Sequence, residues 1–147
     1  MFKILSIAGV ITFCAGAVAA AQSGYLCEIK NKGDGGGFLT SPVVVLFDDA
    51  KATATVIDPL ILAVAKKPVE ARLRKSSSTK WRMNWTVNDV KLRSGSSNVS
   101  FSATFNPLKR TLQSRAKLIN FANHESAVGG CSALTKQEVQ NNRWIKK

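Results

Sequence analysis

Four successive runs between Val69 and Leu118 alternate apolar and polar residues with a period of two. Val69, Ala71 and Leu73 alternate with Glu70, Arg72 and Arg74. Trp81, Met83, Trp85 and Val87 alternate with Lys80, Arg82, Asn84, Thr86 and Asn88. Val99, Phe101, Ala103 and Phe105 alternate with Asn98, Ser100, Ser102 and Thr104, and Leu112, Ala116 and Leu118 with Gln113, Arg115 and Lys117. Ser76-Ser77-Ser78, Ser94-Gly95-Ser96 and Asn106-Pro107 punctuate the runs. A strand sends successive side chains to opposite faces, so this pattern describes strands with one wet face and one buried face. No helical crossover separates the runs, which excludes a parallel arrangement. The expected fold is all-β and mainly antiparallel, a single sandwich or up-and-down barrel of about seven or eight strands with one short helix.

Upstream, Pro42 to Pro59 reads as a β-hairpin. A turn at 48–51 places Phe47 opposite Ala52, Val45 opposite Ala54 and Val43 opposite Val56, all on one face. Val44 and Leu46 then share the other face with Thr53 and Thr55, which leaves that face only partly apolar. Asp48 and Asp49 suit a turn because their carboxylates accept backbone amide hydrogen bonds. As a calcium or magnesium pair they are too few, since a hard cation wants more oxygen ligands than this stretch supplies.

A first strand is expected around Tyr25–Ile29, followed by a flexible loop from Lys32 to Gly37. A phosphate cradle needs a helix N-terminus after its glycines, and here a strand follows. Asp58-Pro59 is a helix start, with Asp as N-cap and Pro at the first helical position. The short helix expected over Pro59–Ala65 is apolar on every side, so it should be covered. It is far too short to span a membrane.

The N-terminus sets the compartment. Lys3 precedes an apolar run from Ile4 to Val18 that ends in Ala19-Ala20-Ala21, the pattern of an export signal over residues 1–21. Cleavage after Ala21, with Ala19 as the alternative site, takes Cys14 away; at Ala21 it removes 21 residues from 147 and leaves 126, with no transmembrane segment after cleavage. The expected location is periplasmic or extracellular. Of the cysteines, Cys27 and Cys131 remain, and an oxidising compartment makes them a disulfide. They form no CxxC motif, and His124 is the sole histidine, so neither a metal site nor a cofactor is expected. Residues 22–134 then form the β domain. Phe121 to Gly130 reads as a loop carrying His124, with a last strand near Cys131–Leu134, and 135–147 reads as a basic C-terminal tail.

The formal net charge is +12, and +11 once Lys3 is removed. Arg72, Arg74, Lys80, Arg82, Arg115 and Lys117 all fall on polar faces of expected strands. If successive strands pair, they form one basic patch. Such a patch favours anionic lipid, lipopolysaccharide or glycan. It disfavours nucleic acid, because Trp81 and Trp85 alternate toward the core and away from positions where bases stack. The plainer reading is a solvated face that keeps the protein soluble and blocks edge pairing.

Catalysis has little support. A nucleophilic triad would depend on His124, and no serine sits in a nucleophile-elbow motif. Only nine acidic residues are present, mostly at turns.

Cys27-Glu28-Ile29-Lys30, the glycine-rich loop, Pro42-Val43-Val44-Val45, Ile57-Asp58-Pro59 and Gly129-Gly130-Cys131 together resemble small secreted bacterial proteins of unassigned function. The Phe38-Leu39-Thr40 segment and the basic tail depart from that pattern. The resemblance implies an exported β-rich domain and no particular activity. Two functional classes follow from the sequence. One is a non-enzymatic binding module with a basic face for anionic envelope components, with an apolar-ligand carrier as its variant. The other is a hydrolase of an envelope polymer, which would need Asp48, Asp49, Asp58 and His124 gathered in one cleft.

Overall fold

The computed structural model describes residues 22–33, 37–122 and 124–141. The export signal expected over 1–21, and the end of the tail from residue 142, lie outside these residues. The described chain forms β1 (Ser23–Asn31), β2 (Val43–Asp48), β3 (Thr53–Ile57), α1 (Pro59–Val64), β4 (Val69–Ser77), β5 (Lys80–Leu92), β6 (Gly95–Asn106), β7 (Thr111–Leu118), β8 (His124–Ala133) and α2 (Lys136–Gln140). Each strand pairs antiparallel with the next, and β8 pairs with β1, closing an eight-stranded up-and-down barrel. Of the two architectures the alternation allows, the chain adopts the barrel, which leaves no sheet edge.

The apolar halves of the alternating runs fill the interior. Met83 lies in register with Ala103, Ser114 and Ala127, and Trp85 with Phe101 and Ala116, so large and small side chains share each layer. Phe47, Met83, Phe101, Phe105 and Leu112 are essentially inaccessible to solvent. Barrels of eight strands have an interior just wide enough for side chains to fill. Trp85 stacks on Phe101 with centroids 5.2 Å apart. Toward the opposite end Tyr25, Phe47, Trp81 and Phe105 form a second aromatic cluster with centroids 4.6 to 6.0 Å apart.

The hairpin register differs from the expected one. Phe47 pairs with Ala54, Val45 with Val56 and Asp48 with Thr53, two residues away from the expected partners. A slip of two preserves the faces, so Val43, Val45 and Phe47 still point inward with Ala54 and Val56. Ala52 lies in the turn at φ 52°, where its backbone carbonyl accepts a hydrogen bond from the Leu73 amide at 3.1 Å.

The outer face of this hairpin is more apolar than expected, and it is covered. Val44, Leu46 and Ile57 are buried outside the barrel with Val139 of α2, and Leu26, Leu62 and Leu134 pack against them. Val139 thus packs α2, in the first part of the C-terminal tail, against the outside of the barrel. Thr135 and Glu138 form a reciprocal capping box that starts α2.

β8 begins at His124, so the expected loop over 121–130 is a strand for most of its length. Its glycines mark a close approach and not flexibility. Gly129 faces Ile29 of β1, and a Cβ there would overlap the carbonyl of Glu28.

β5 continues past its expected end to Leu92. Asn88 and Asp89 form a bulge between Val87 and Val90, with Asp89 at φ 58° and its amide donating to Asn98 Oδ1 at 3.1 Å. The extra residue restores Val90 to the inner face, where it is 4 % exposed.

α1 closes one end of the barrel. Asp58 Oδ1 accepts from the Ile61 amide at 2.7 Å and Pro59 opens the helix, as the sequence indicates. The helix is less covered than its composition implied. Ile61 is fully buried, Leu60 and Val64 reach the core, and Ala63 is exposed. The loop before β2 completes this end. Glu125 Oε2 accepts from the amides of Phe38 and Leu39 at 3.1 and 3.3 Å, and Ser41 Oγ accepts from the Ile29 amide at 3.1 Å.

Cys27 and Cys131 are direct cross-strand partners joined by a disulfide, with their Cα atoms 4.0 Å apart. The bridge spans 104 residues and sits at the pairing of the first and last strands.

Candidate functional site

The outward halves of β4 to β7 make one continuous polar surface, with registered rungs running around the barrel. Arg74 lies opposite Arg82, then Thr104, then Gln113. Arg72 lies opposite Asn84, then Ser102, then Arg115. Thr86 lies opposite Ser100, then Lys117, then His124 of β8. Lys80 begins β5 opposite Ser77. All six basic residues singled out from the sequence are thus exposed on one curved face.

Across β5 to β7 the face has no counter-charge. The outward positions of β5 up to Thr86, and all of β6 and β7, carry no Asp or Glu. Glu70 on β4 borders it. Among the described residues the ion pairs are Lys51–Asp48 at 3.7 Å and Lys75–Asp49 at 2.7 Å, and neither uses the six. Arg74 directly opposite Arg82 is a like-charge cross-strand pair, an arrangement that costs stability in an isolated sheet. Apolar side chains inside and charged ones outside are the reverse of an outer-membrane barrel, whose lipid-facing band is apolar.

Within this face lies a groove of about 300 Å³ lined by Lys80, Arg82, Asn84, Ser102, Thr104, Gln113 and Arg115. Its shape follows from the sequence. The outward residues of β6 are short, whereas β5 and β7 raise longer side chains on either side. Sequence reasoning identified the cations but not the groove. The signal was present in Ser100, Ser102 and Thr104 lying between two runs of long polar residues.

The residues a hydrolase would need do not meet. Asp48 and Asp49 sit at the β2–β3 turn, whereas Asp58 and His124 lie toward the α1 end of the barrel. Asp48 Oδ1 accepts from the Lys51 amide at 3.2 Å, and Asp49 pairs with Lys75, so both do the work of a turn. Asp58 is 5 % exposed and is occupied as the cap of α1. Burial raises the pKa of its carboxyl above the ordinary value, against hydrogen bonds from the Ile61 amide, the Thr40 hydroxyl and the Leu60 amide. His124 is exposed at the start of β8 beside Lys117. Among the described residues no three His, Cys, Asp or Glu side chains group as metal ligands would.

Fold and surface together define a small closed antiparallel barrel with a packed interior and a cationic outer wall. Compared with protein-family models, with curated proteins and with solved structures, the chain has no match.

Proposed function

We propose that this protein is an exported, disulfide-closed barrel that binds anionic components of the cell envelope through the outer face of β4 to β7. The observation that carries this reading is the placement of Arg72, Arg74, Lys80, Arg82, Arg115 and Lys117 on one surface without acidic partners, with Arg74 set against Arg82. An external anion relieves that repulsion, and an uncompensated cationic surface steers anionic partners toward it. Export is supported by the N-terminal pattern and by a disulfide, which persists in an oxidising compartment. The interior is occupied by the protein's own aromatic and aliphatic side chains, so the reading rests on the outer wall.

Binding to heparin or to anionic vesicles, measured against salt, tests the reading. Affinity should fall steeply as salt rises, since exposed charges are screened over about 10 Å at 0.1 M. Arg82→Ala with Arg115→Ala should weaken binding far more than Lys146→Ala with Lys147→Ala in the tail. Loss of binding on tail truncation, with the strand variant binding normally, would leave the sheet face as a solubility surface. The mature chain should begin at or near Gln22, and an intact Met1 terminus retained in the cytoplasm would remove export from the proposal.

A further inference from the structure

We infer that the occupant of this face is an extended acidic polysaccharide lying along β6, a reading that rests on the anion-binding face proposed above and names its ligand class. The floor of the groove is formed by the small hydrogen-bonding side chains of Ser102 and Thr104, and Ser100 continues the same outward row one rung further along β6. One wall is Lys80, Arg82 and Asn84 of β5 and the other is Gln113 and Arg115 of β7; Thr86 and Lys117 extend the two rows one rung beyond it.

The charges are not evenly spread along this groove. On the rungs nearest the β4–β5 turn the cations stand on the β5 wall, at Lys80 and Arg82. On the next two they stand on the β7 wall, at Arg115 and Lys117. Successive rungs are ~7 Å apart and the walls are ~10 Å apart, from the rise per residue and the spacing of strands. Arg82 and Arg115 are therefore ~12 Å apart across the floor, and the cationic line runs obliquely for about 20 Å. A single phosphate or carboxylate cannot reach from one end of that ~20 Å line to the other. A chain of several sugar units can, with acidic groups reaching the guanidinium and ammonium groups. Its hydroxyls meet the Ser, Thr, Asn and Gln side chains.

The same surface is poorly made for other polyanions. Single-stranded nucleic acid binds by stacking bases on aromatic rings, and the aromatic residues of these strands, Trp81, Trp85, Phe101 and Phe105, all point into the barrel. A lipid surface takes apolar side chains among the cations. Among the described residues the exposed large apolar ones are Leu108, Ile119 and Phe121, and they lie in the end turns and not on this face.

The test uses the mature protein and a uronic acid oligosaccharide ladder from dimer to octamer, with anionic vesicles and oligothymidylate as rival probes. Affinity should rise with chain length until the groove is filled, and the octamer should outbind both rivals at matched salt. Ser102→Trp fills the floor without changing charge, and it should weaken octamer binding by about tenfold or more, or about 1.4 kcal/mol. Ser100→Trp serves the same purpose one rung along if Ser102→Trp does not fold. Should the tryptophan variants bind the octamer like the parent while Arg82→Ala with Arg115→Ala does not, the polymer does not lie along β6. The inference then fails and the anion-binding face stands. Should the double arginine variant also bind like the parent, both readings fail. Tighter binding of oligothymidylate or of vesicles than of the octamer overturns the polysaccharide assignment.

Discussion

The ammonium of Lys75 sits 3.7 Å from the centre of the Trp81 ring, at the open end of the barrel. It also pairs with Asp49 Oδ1 at 2.7 Å, so one flexible side chain joins the β2–β3 turn to the rim of the aromatic cluster. Register explains the placement. Lys75 faces Trp81 across β4 and β5 on the inward side, where a charge has only the ring and the turn carboxylate to meet. Partly exposed contacts of this kind contribute about 0.5–1 kcal/mol. A double-mutant cycle with Lys75→Met and Trp81→Leu should give a coupling energy of that size from denaturant unfolding. Strict additivity of the two substitutions would show that the ammonium and the ring do not interact.

Gly129 and Gly130 differ in what surrounds them. A methyl group at Gly129 would overlap the Glu28 carbonyl, whereas a Cβ at Gly130 meets nothing within 4 Å. Gly129→Ala should therefore force β8 away from β1 and cost about 2 kcal/mol or more, in the range of overpacked sites. Gly130→Ala should stay within about 0.5 kcal/mol of the parent. Equal unfolding midpoints for the two variants would contradict the close pairing of these strands.

Asp58 gives the protein a pH dependence of definite sign. Its folded-state pKa is raised by burial, so the native state holds the proton more tightly than the unfolded chain does. The contribution is fully present below the unfolded pKa and is lost as pH rises through the folded one. Asp58→Asn keeps a neutral capping side chain and should remove this component, the loss of stability as pH rises above the ordinary carboxylate range, from a plot of stability against pH. Asp58→Ala also loses the cap and should cost about 1 kcal/mol. A parent curve that overlays the Asn variant throughout would show that burial does not shift this group.

Much of the barrel was legible because two conditions coincided along β5 to β7. One face of each strand is dry and the other wet, and the turns carry small polar residues. The bulge at Asn88-Asp89 was not legible, since it depends on Asn98 being opposite and able to accept from the Asp89 amide. Val44 and Leu46 broke the alternation for a reason that lies nearly a hundred residues away, in Val139. Gly129-Gly130 read as a loop because glycine weakens a strand, and only the approach of β1 explains it there. The choice of barrel over sandwich rests on β1 pairing with β8, a relation of chain ends that no local pattern encodes. The basic residues were legible singly. Their grouping followed because neighbours in sequence became neighbours in the sheet. The groove did not, because it is a difference in side-chain length between three strands.

Replacing Cys27 and Cys131 with alanine should remove constraint from the unfolded chain. For a loop of this length the chain-entropy estimate is about 4–5 kcal/mol, and measured losses are often smaller. Unfolding midpoints of the parent and the double variant, compared without reductant, check it. Two alkylatable thiols in the native, freshly isolated parent would show that the bond is not formed.

The position of that bond has a topological consequence. It joins the two strands that meet where the sheet closes, so everything between Cys27 and Cys131 forms a covalent ring. The turns at both ends of the barrel are segments of the ring. A protease that cuts any one of them opens the circle without releasing a piece. Damage that would divide an open chain in two leaves this one a single covalent molecule.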